Sequence, residues 1–235
     1  MKAYKHIFFD LDHTLWDYET NSRHTLRELY DRFDLASKGA TGMDDFFGHF
    51  NQINGGLWEK YNVGNISQYY LRNSRFPLVF EAMGINPKLF PEPIVKEFNE
   101  CYLTECSQKA GLIEGTKEVL DYLQNKYILH IITNGFEEVQ SIKLASSGID
   151  HYFEELITSE RAGAKKPYPA IYKFALKTTG DLLEESIMIG DNLKTDIQGA
   201  IDYNMDQVYY NPDNRHQNSK VIHEINSLIE LVEIL

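Results

Sequence analysis

The chain has 235 residues, 43 % hydrophobic and 25 % charged, with 23 Lys and Arg against 35 Asp and Glu for a formal net charge of −12. That length carries one large domain or a core with an inserted subdomain, and the composition excludes a disordered, collagenous or fibrous chain. The acidic excess repels phosphate backbones and anionic lipid, which sets nucleic-acid polymers and membranes aside as partners. Any phosphate group must be met by local positive charge. Cys101 and Cys106 have the spacing of neither a redox pair nor a zinc site, and so few cysteines point to a reducing, cytoplasmic setting. The start, Met1 to His6, is basic, but Asp10 and Asp12 interrupt the apolar run that follows. Neither a signal peptide nor a membrane span is expected.

Ile7-Phe8-Phe9 is a short apolar run without alternation, as expected of a strand buried on both faces of a parallel sheet, and it runs into Asp10-Leu11-Asp12-His13-Thr14. From about Tyr18 to Gly111 no strand pattern is visible. Amphipathic stretches at Ser22 to Phe33 and Pro93 to Cys106, with Phe46, Phe47, Phe50, Trp58, Tyr61, Tyr69 and Tyr70 between them, predict a helical insertion. Thr116 then precedes an apolar stripe of Val119, Leu120 and Leu123. Tyr127 to Ile132 predicts a second strand, running into Thr133-Asn134-Gly135. A helix follows Phe136, with Val139 and Ile142 as its apolar positions and Gly148 as its C-terminal cap. Glu155 to Thr158 is a further strand candidate, and Pro169 opens a helix through Ile171, Tyr172, Phe174 and Ala175 that Gly180 ends. Ser186 to Ile189 runs into Gly190-Asp191-Asn192, Gln207 to Tyr210 is another strand, and Ser227 to Glu230 reads as a capping box. Strands alternating with helices define an α/β fold. The expectation is a Rossmann-like parallel sheet core over 1–17 plus 112–235, with an inserted helical cap over 18–111.

In open α/β sheets, ligands bind beyond the carboxyl ends of the strands. Three predicted strands end in Asp10 and Asp12, in Thr133, and in Asp191, and Lys165-Lys166-Pro167 can reach the same edge. Asp10 and Asp12 are two apart and face one way in extended geometry, so one carboxylate can attack phosphorus while the other manages the proton. Asp10 with Asp191 makes a hard oxygen site suited to Mg²⁺. Thr133 offers a hydroxyl, the amides of Asn134 and Gly135 form a phosphate cradle, and Lys166 supplies the cation for charge developing on phosphoryl oxygens.

Phe9-Asp10-Leu11-Asp12-His13-Thr14-Leu15, then Thr133, then Lys166-Pro167, then Gly190-Asp191 with Asp196 five on, resembles the haloacid dehalogenase superfamily. All four family motifs occur in order over the whole chain, and the insertion resembles that family's helical cap of the first type. The resemblance implies a Mg²⁺-dependent phosphatase acting through an aspartyl-phosphate. Asp10 would be nucleophile and metal ligand, and Asp12 general acid/base and a ligand through its backbone carbonyl. Thr133, Asn134 and Lys166 would hold the phosphoryl group, with Asp191 completing the metal site and Asp196 supporting it. His13 stands where many members have Gly, and Asn192 where many have Ser.

Within the insertion, Leu57-Trp58, Tyr61, Gly64, Ile66-Ser67 and Arg75-Phe76 resemble the branch of nucleoside 5′-monophosphatases that favours pyrimidines, as do Ile132 to Phe136 and Tyr152 to Glu160 in the core. Trp16, Trp58 or Tyr61 would stack on a base, and Arg72 or Arg75 would bind its polar edges. Phosphatases for sugar phosphates or phosphoglycolate, a phosphosugar mutase, a 2-haloacid dehalogenase and a non-catalytic regulatory module are the alternatives. A dehalogenase needs neither Mg²⁺ nor Asp12, and a regulatory module would not need Asp10, Asp12 and Lys166 together. The expected partner is a small phosphorylated metabolite; the oligomeric state is left open, a monomer included.

Overall fold

The computed structural model describes residues 4–214 and 220–235; the first three residues of the basic start lie outside it. Among the described residues, β1 (His6–Phe9), β2 (Ile128–Thr133), β3 (Phe153–Thr158), β4 (Ser186–Gly190), β5 (Asp206–Tyr210) and β6 (His223–Ile225) form one sheet of order β3-β2-β1-β4-β5-β6. All neighbouring pairs are parallel. The central strands carry buried apolar side chains at successive positions, Ile7, Phe8 and Phe9 on β1 and Ile187, Met188 and Ile189 on β4, because helices cover both faces of such a sheet. β6 is absent from the sequence expectations: His223-Glu224-Ile225 is three residues long and neither apolar nor alternating, so its strand state comes from pairing with β5 alone.

The chain divides into two compact units, Met1–Tyr18 with Ala110–Leu235, and Glu19–Lys109. In the second, α1 (Tyr18–Arg32), α2 (Met43–Asn62), α3 (Gln68–Ala82) and α4 (Glu92–Ser107) supply the helical insertion, and no strand occurs there among the described residues. Its interior is aromatic. Phe76 lies 4.7 Å from Phe98 and 5.2 Å from Tyr102 between ring centres, and Phe80 lies 4.5 Å from Phe90, all edge-on. Ser67 caps α3 by accepting from the Tyr70 amide at 3.1 Å. Cys101 and Cys106 lie on α4, and neither is in a disulfide among the described residues. Among the described residues, no helix is long and apolar enough to cross a membrane.

In the first unit, α5 (Thr116–Leu123), α6 (Glu137–Ser147), α7 (Ser159–Ala162), α8 (Pro169–Thr179), α9 (Gln198–Asp202) and α10 (Leu231–Ile234) surround the sheet. Gly148 and Gly180 end α6 and α8 in the left-handed conformation, at φ 67° and 77°. The face of α6 departs from expectation. Ile142 is exposed, while Gln140, Lys143, Leu144 and Ser147 are buried. The helix turns polar side chains inward because they have partners at the end of β1, described below.

Where π turn Leu193–Ile197 enters α9, Gly199 packs against α8 and the backbone of Pro167. A Cβ there would lie 2.6 Å from the Tyr172 hydroxyl and 2.8 Å from Pro167 Cα. Gly199→Ala is therefore expected to destabilise the protein by about 1–3 kcal/mol through overpacking, read as a lower urea midpoint at unchanged slope.

Candidate active site

The strand register brings the motif residues together. Phe9 pairs with Ile131 on one side and Ile189 on the other, so the next residue, Asp10, emerges between the ends of β2 and β4. Its amide donates to the Ile189 carbonyl at 2.9 Å. Lys166 enters from the segment before α8 and is 2 % exposed. Its ammonium donates to Asp10 Oδ1 at 2.6 Å and to the Ile132 carbonyl at 2.7 Å, and stands 2.8 Å from Asp196 Oδ1. Asn134 fixes that lysine by its backbone: Asn134 Nδ2 donates to the Lys166 carbonyl and the Lys166 amide donates to Asn134 Oδ1, both at 2.8 Å.

Asp191 follows β4 and exchanges two hydrogen bonds with Thr14, whose hydroxyl donates to Asp191 Oδ1 and accepts from the Asp191 amide, each at 3.1 Å. Asp196 is engaged on both oxygens, by Lys166 and by the Asn192 amide at 3.0 Å. Gly190 is required beside it, because a Cβ at that position would lie 2.4 Å from Asp196 Oδ2.

Asp10, Asp191 and Asp196 each place a carboxylate oxygen within 4.8 Å of the others. Burial, aided by repulsion from Asp196 and Asp191, outweighs the attraction of Lys166 and pushes Asp10 up to about 8. Burial and Asp196 push Asp191 up to about 7 against the Thr14 hydrogen bond. Lys166 is itself held above its ordinary value: the two carboxylates outweigh its burial. One ammonium thus faces three carboxylates. This all-oxygen, under-neutralised donor set fits a divalent cation of the hard class. With Asp196 taken up by donors on both oxygens, Asp10 and Asp191 are the side chains available to hold one.

Asp12 has different surroundings. β1 ends at Phe9, so strand alternation does not carry through to Asp12, and its carboxylate meets α6 rather than the acidic cluster. Lys143 forms an ion pair with one oxygen, and Gln140 Nε2 donates to the other at 2.9 Å and to Thr133 Oγ1 at 2.8 Å. Burial raises the Asp12 carboxyl, but the Lys143 charge and hydrogen bond, then Gln140, hold it below the ordinary carboxylate value. Thr133 Oγ1 also accepts from the Gly135 amide at 3.0 Å. Gly135 is glycine for lack of room, since a Cβ would lie 1.9 Å from Gln140 Nε2. His13 occupies the left-handed region at φ 66°, which favours glycine, and its ring lies 4.8 Å from that of Tyr18.

Gln140, Lys143 and Thr14 were not singled out from the sequence. The signal for the first two was the poverty of α6 in apolar residues: with Ile142 outside, polar residues three apart had to face the sheet. Trp16, expected to stack on a base, is instead fully buried in the core with the Lys143 ammonium 4.3 Å from its ring. Trp58, Tyr61 and Arg75 belong to the helical unit. Trp58 and Tyr61 pack edge-on at 5.5 Å, Tyr61 is buried, and Arg75 is buried with its guanidinium 5.4 Å from the Tyr102 ring.

This parallel sheet, with an acidic cluster and a buried lysine at its carboxyl edge, is the architecture of a haloacid dehalogenase-like hydrolase. The model of that family matches residues 4–204, and the chain belongs to it. It is 30 % identical to the pyrimidine 5′-nucleotidase PynA of Streptococcus pneumoniae, over 99 % of this chain and 95 % of that one. It is 26 % identical to the pyrimidine 5′-nucleotidase YjjG of Escherichia coli, over 97 % and 96 %. The crystal structure of the HAD-hydrolase YfnB of Bacillus subtilis bound to magnesium superposes with a TM-score of 0.87 at 26 % identity, over 100 % of this chain and 99 % of that one.

The raised carboxyls make a prediction for the metal-free protein. Asp10 and Asp191 bind a proton more tightly folded than unfolded, so the stability they contribute is complete below about pH 4 and is lost as pH rises through about 7 and 8. The melting temperature of chelator-treated protein is expected to fall between about pH 5 and pH 8.5. A divalent cation should reverse that fall most strongly at the alkaline end; calorimetry at several pH values checks both.

Proposed function

We propose that the protein is a Mg²⁺-dependent phosphatase that hydrolyses small phosphomonoesters through an aspartyl-phosphate on Asp10, with pyrimidine nucleoside 5′-monophosphates as its preferred substrates. The observation that carries the chemistry is the meeting of Asp10, Asp191 and Asp196 around Lys166 at the carboxyl edge of the sheet. The substrate class rests on similarity to the two pyrimidine 5′-nucleotidases.

Asp10 and Asp191, with the Asp12 backbone carbonyl, would hold Mg²⁺, which when bound supplies charge neutralisation between the nucleophile and the phosphoryl oxygens. Lys166 opposes the burial that raises Asp10 and offers its ammonium to charge developing on the phosphoryl group. Thr133 and the turn at Asn134 position that group. Asp10 attacks phosphorus in line, the ester P–O bond breaks, and Asp12 gives its proton to the leaving alkoxide. Asp12, then a carboxylate, takes a proton from the water that attacks phosphorus, releasing phosphate and restoring Asp10. The Lys143–Gln140 clamp favours Asp12 in this second, basic form. A 2-haloacid dehalogenase has no use for Asp12 held in this way, which disfavours that alternative.

Asp10→Asn is expected to abolish turnover while the protein stays folded. Phosphate release with and without Mg²⁺ across UMP, dUMP, dTMP, purine monophosphates, sugar phosphates and phosphoglycolate checks the substrate. Selective Mg²⁺-dependent cleavage of the pyrimidine nucleotides is the expected result, and preference for a sugar phosphate or phosphoglycolate would overturn the nucleotide reading. Lys143→Met should lower kcat by roughly tenfold or more and move the acid limb of its pH profile upward, since Asp12 loses the charge that depresses its pKa. Lys143→Arg should restore part of both, and an unshifted limb would separate Lys143 from Asp12.

A further inference from the structure

A second polar cluster lies in the same unit, toward the amino ends of the strands. His6 opens β1, His130 lies inside β2, and Asp181 follows Gly180 at the end of α8. His6 precedes Asp10 by four residues, about 13 Å of extended chain, so this cluster is separate from the catalytic edge. His6 Nδ1 stands 3.0 Å from Asp181 Oδ1 and 3.3 Å from His130 Nε2, and His130 Nε2 stands 3.4 Å from Asp181 Oδ2. The His130 and Asp181 side chains are 0 % and 1 % exposed, while that of His6, at 13 %, leaves a route to solvent. The two imidazoles stack at 5.5 Å, and Phe8 stacks on His130 at 4.8 Å.

Thr179 hydrogen-bonds Asp181, but hydrogen bonding does not satisfy the whole group. His130 is fully buried, and a neutral imidazole carries one N–H and one bare ring nitrogen. Neither His130 Nδ1 nor Asp181 Oδ2 has a hydrogen-bond partner among the described residues. A proton on His6 Nδ1 faces two acceptors at once, the Asp181 carboxylate and the His130 ring nitrogen. Either tautomer of His130 therefore leaves a buried ring nitrogen, Nδ1, without a partner among the described residues, in a place where an unsatisfied polar atom is costly. Glu154 and Glu185 add negative potential around Asp181.

The spacing matches a particular class of ion. Ligand atoms about 2.0–2.1 Å from a tetrahedral centre are roughly 3.3 Å from one another; the two imidazole nitrogens stand 3.3 Å apart, the carboxylate turns one oxygen to each at 3.0 and 3.4 Å, and one ligand atom from each residue lies within 4.8 Å of the others. We infer that His6, His130 and Asp181 form a second metal site, a seat of two imidazoles and one carboxylate for a divalent transition ion of the zinc type, with water as the remaining ligand. Imidazole donors select such an ion over Mg²⁺, which prefers all-oxygen surroundings. The ion would tie β1 to β2 and to the connection between α8 and β4, and so act on stability rather than on turnover.

The test is a Co²⁺ titration of chelator-treated protein held in excess Mg²⁺, followed by the visible absorption of four-coordinate Co²⁺ and by melting temperature. Wild type and Asp10→Asn are expected to develop the intense bands, to lose them on adding Zn²⁺, and to melt several degrees higher with Zn²⁺ than without. His6→Ala and Asp181→Asn should show neither response. Metal-free melting curves establish that each variant is folded, and His6, at the start of its strand, is the substitution least damaging to the core. Bands that persist in folded His6→Ala, bands that vanish in Asp10→Asn, or an absence of four-coordinate absorption in wild type would each overturn the proposal.

Discussion

The Lys166 ammonium, buried between Asp10 and Asp196, is the interaction on which the catalytic edge depends. Three carboxylates converge there, and without the lysine their desolvation and mutual repulsion would drive them to protonate or spread apart. Breaking a buried pair by removing one partner typically costs about 3–5 kcal/mol, because the other charge is left uncompensated. The lysine is held in turn by Asn134, whose side-chain amide grips the backbone of Lys166 at both its N–H and its carbonyl. That grip requires the end of β2 to lie beside the end of β1, which the strand order supplies. Sheet topology, turn chemistry and charge compensation are thus successive conditions for one arrangement.

Two aspartates separated by a single leucine are driven in opposite directions by what they meet. Asp10 faces other acids and is pushed up, while Asp12 faces Lys143 and Gln140 and is held down. This separation suits a division of labour in which one carboxyl works as a nucleophile beside a cation and the other exchanges a proton. The formal charge of −12 makes the two buried lysines more consequential, since attraction for a phosphate dianion must come from a few local groups within an unfavourable overall field.

Much of the fold was legible because buried parallel strands leave continuous apolar runs and helix ends leave glycines: Ile7 to Phe9, Ser186 to Ile189, Gly148 and Gly180 all fall where the pattern placed them. β6 was not legible, because a short edge strand takes its conformation from its neighbour rather than from its composition. The inward face of α6 was misread for a different reason. Periodicity assumes that apolar residues face the core, and here Gln140 and Lys143 face it because the end of β1 presents a carboxylate to them. The motif residues Asp10, Thr133, Lys166 and Asp191 were legible as a set, whereas their supporters Thr14, Gln140 and Lys143 emerge only when hydrogen bonds are traced outward from them. The His6–His130–Asp181 cluster is invisible in the sequence, where its members are scattered over three elements without ligand spacing.

The central claim is that the Asp10 carboxylate becomes covalently phosphorylated during turnover. Its most direct test is rapid acid quenching of enzyme turning over a nucleoside monophosphate with Mg²⁺, followed by proteolysis and mass spectrometry of the peptide that contains Asp10. The account predicts one phosphoryl group on that peptide, located at Asp10, appearing and decaying no more slowly than phosphate is released. Phosphate release at full rate with the peptide unmodified at every time point, or with the phosphoryl group on another residue, would contradict it.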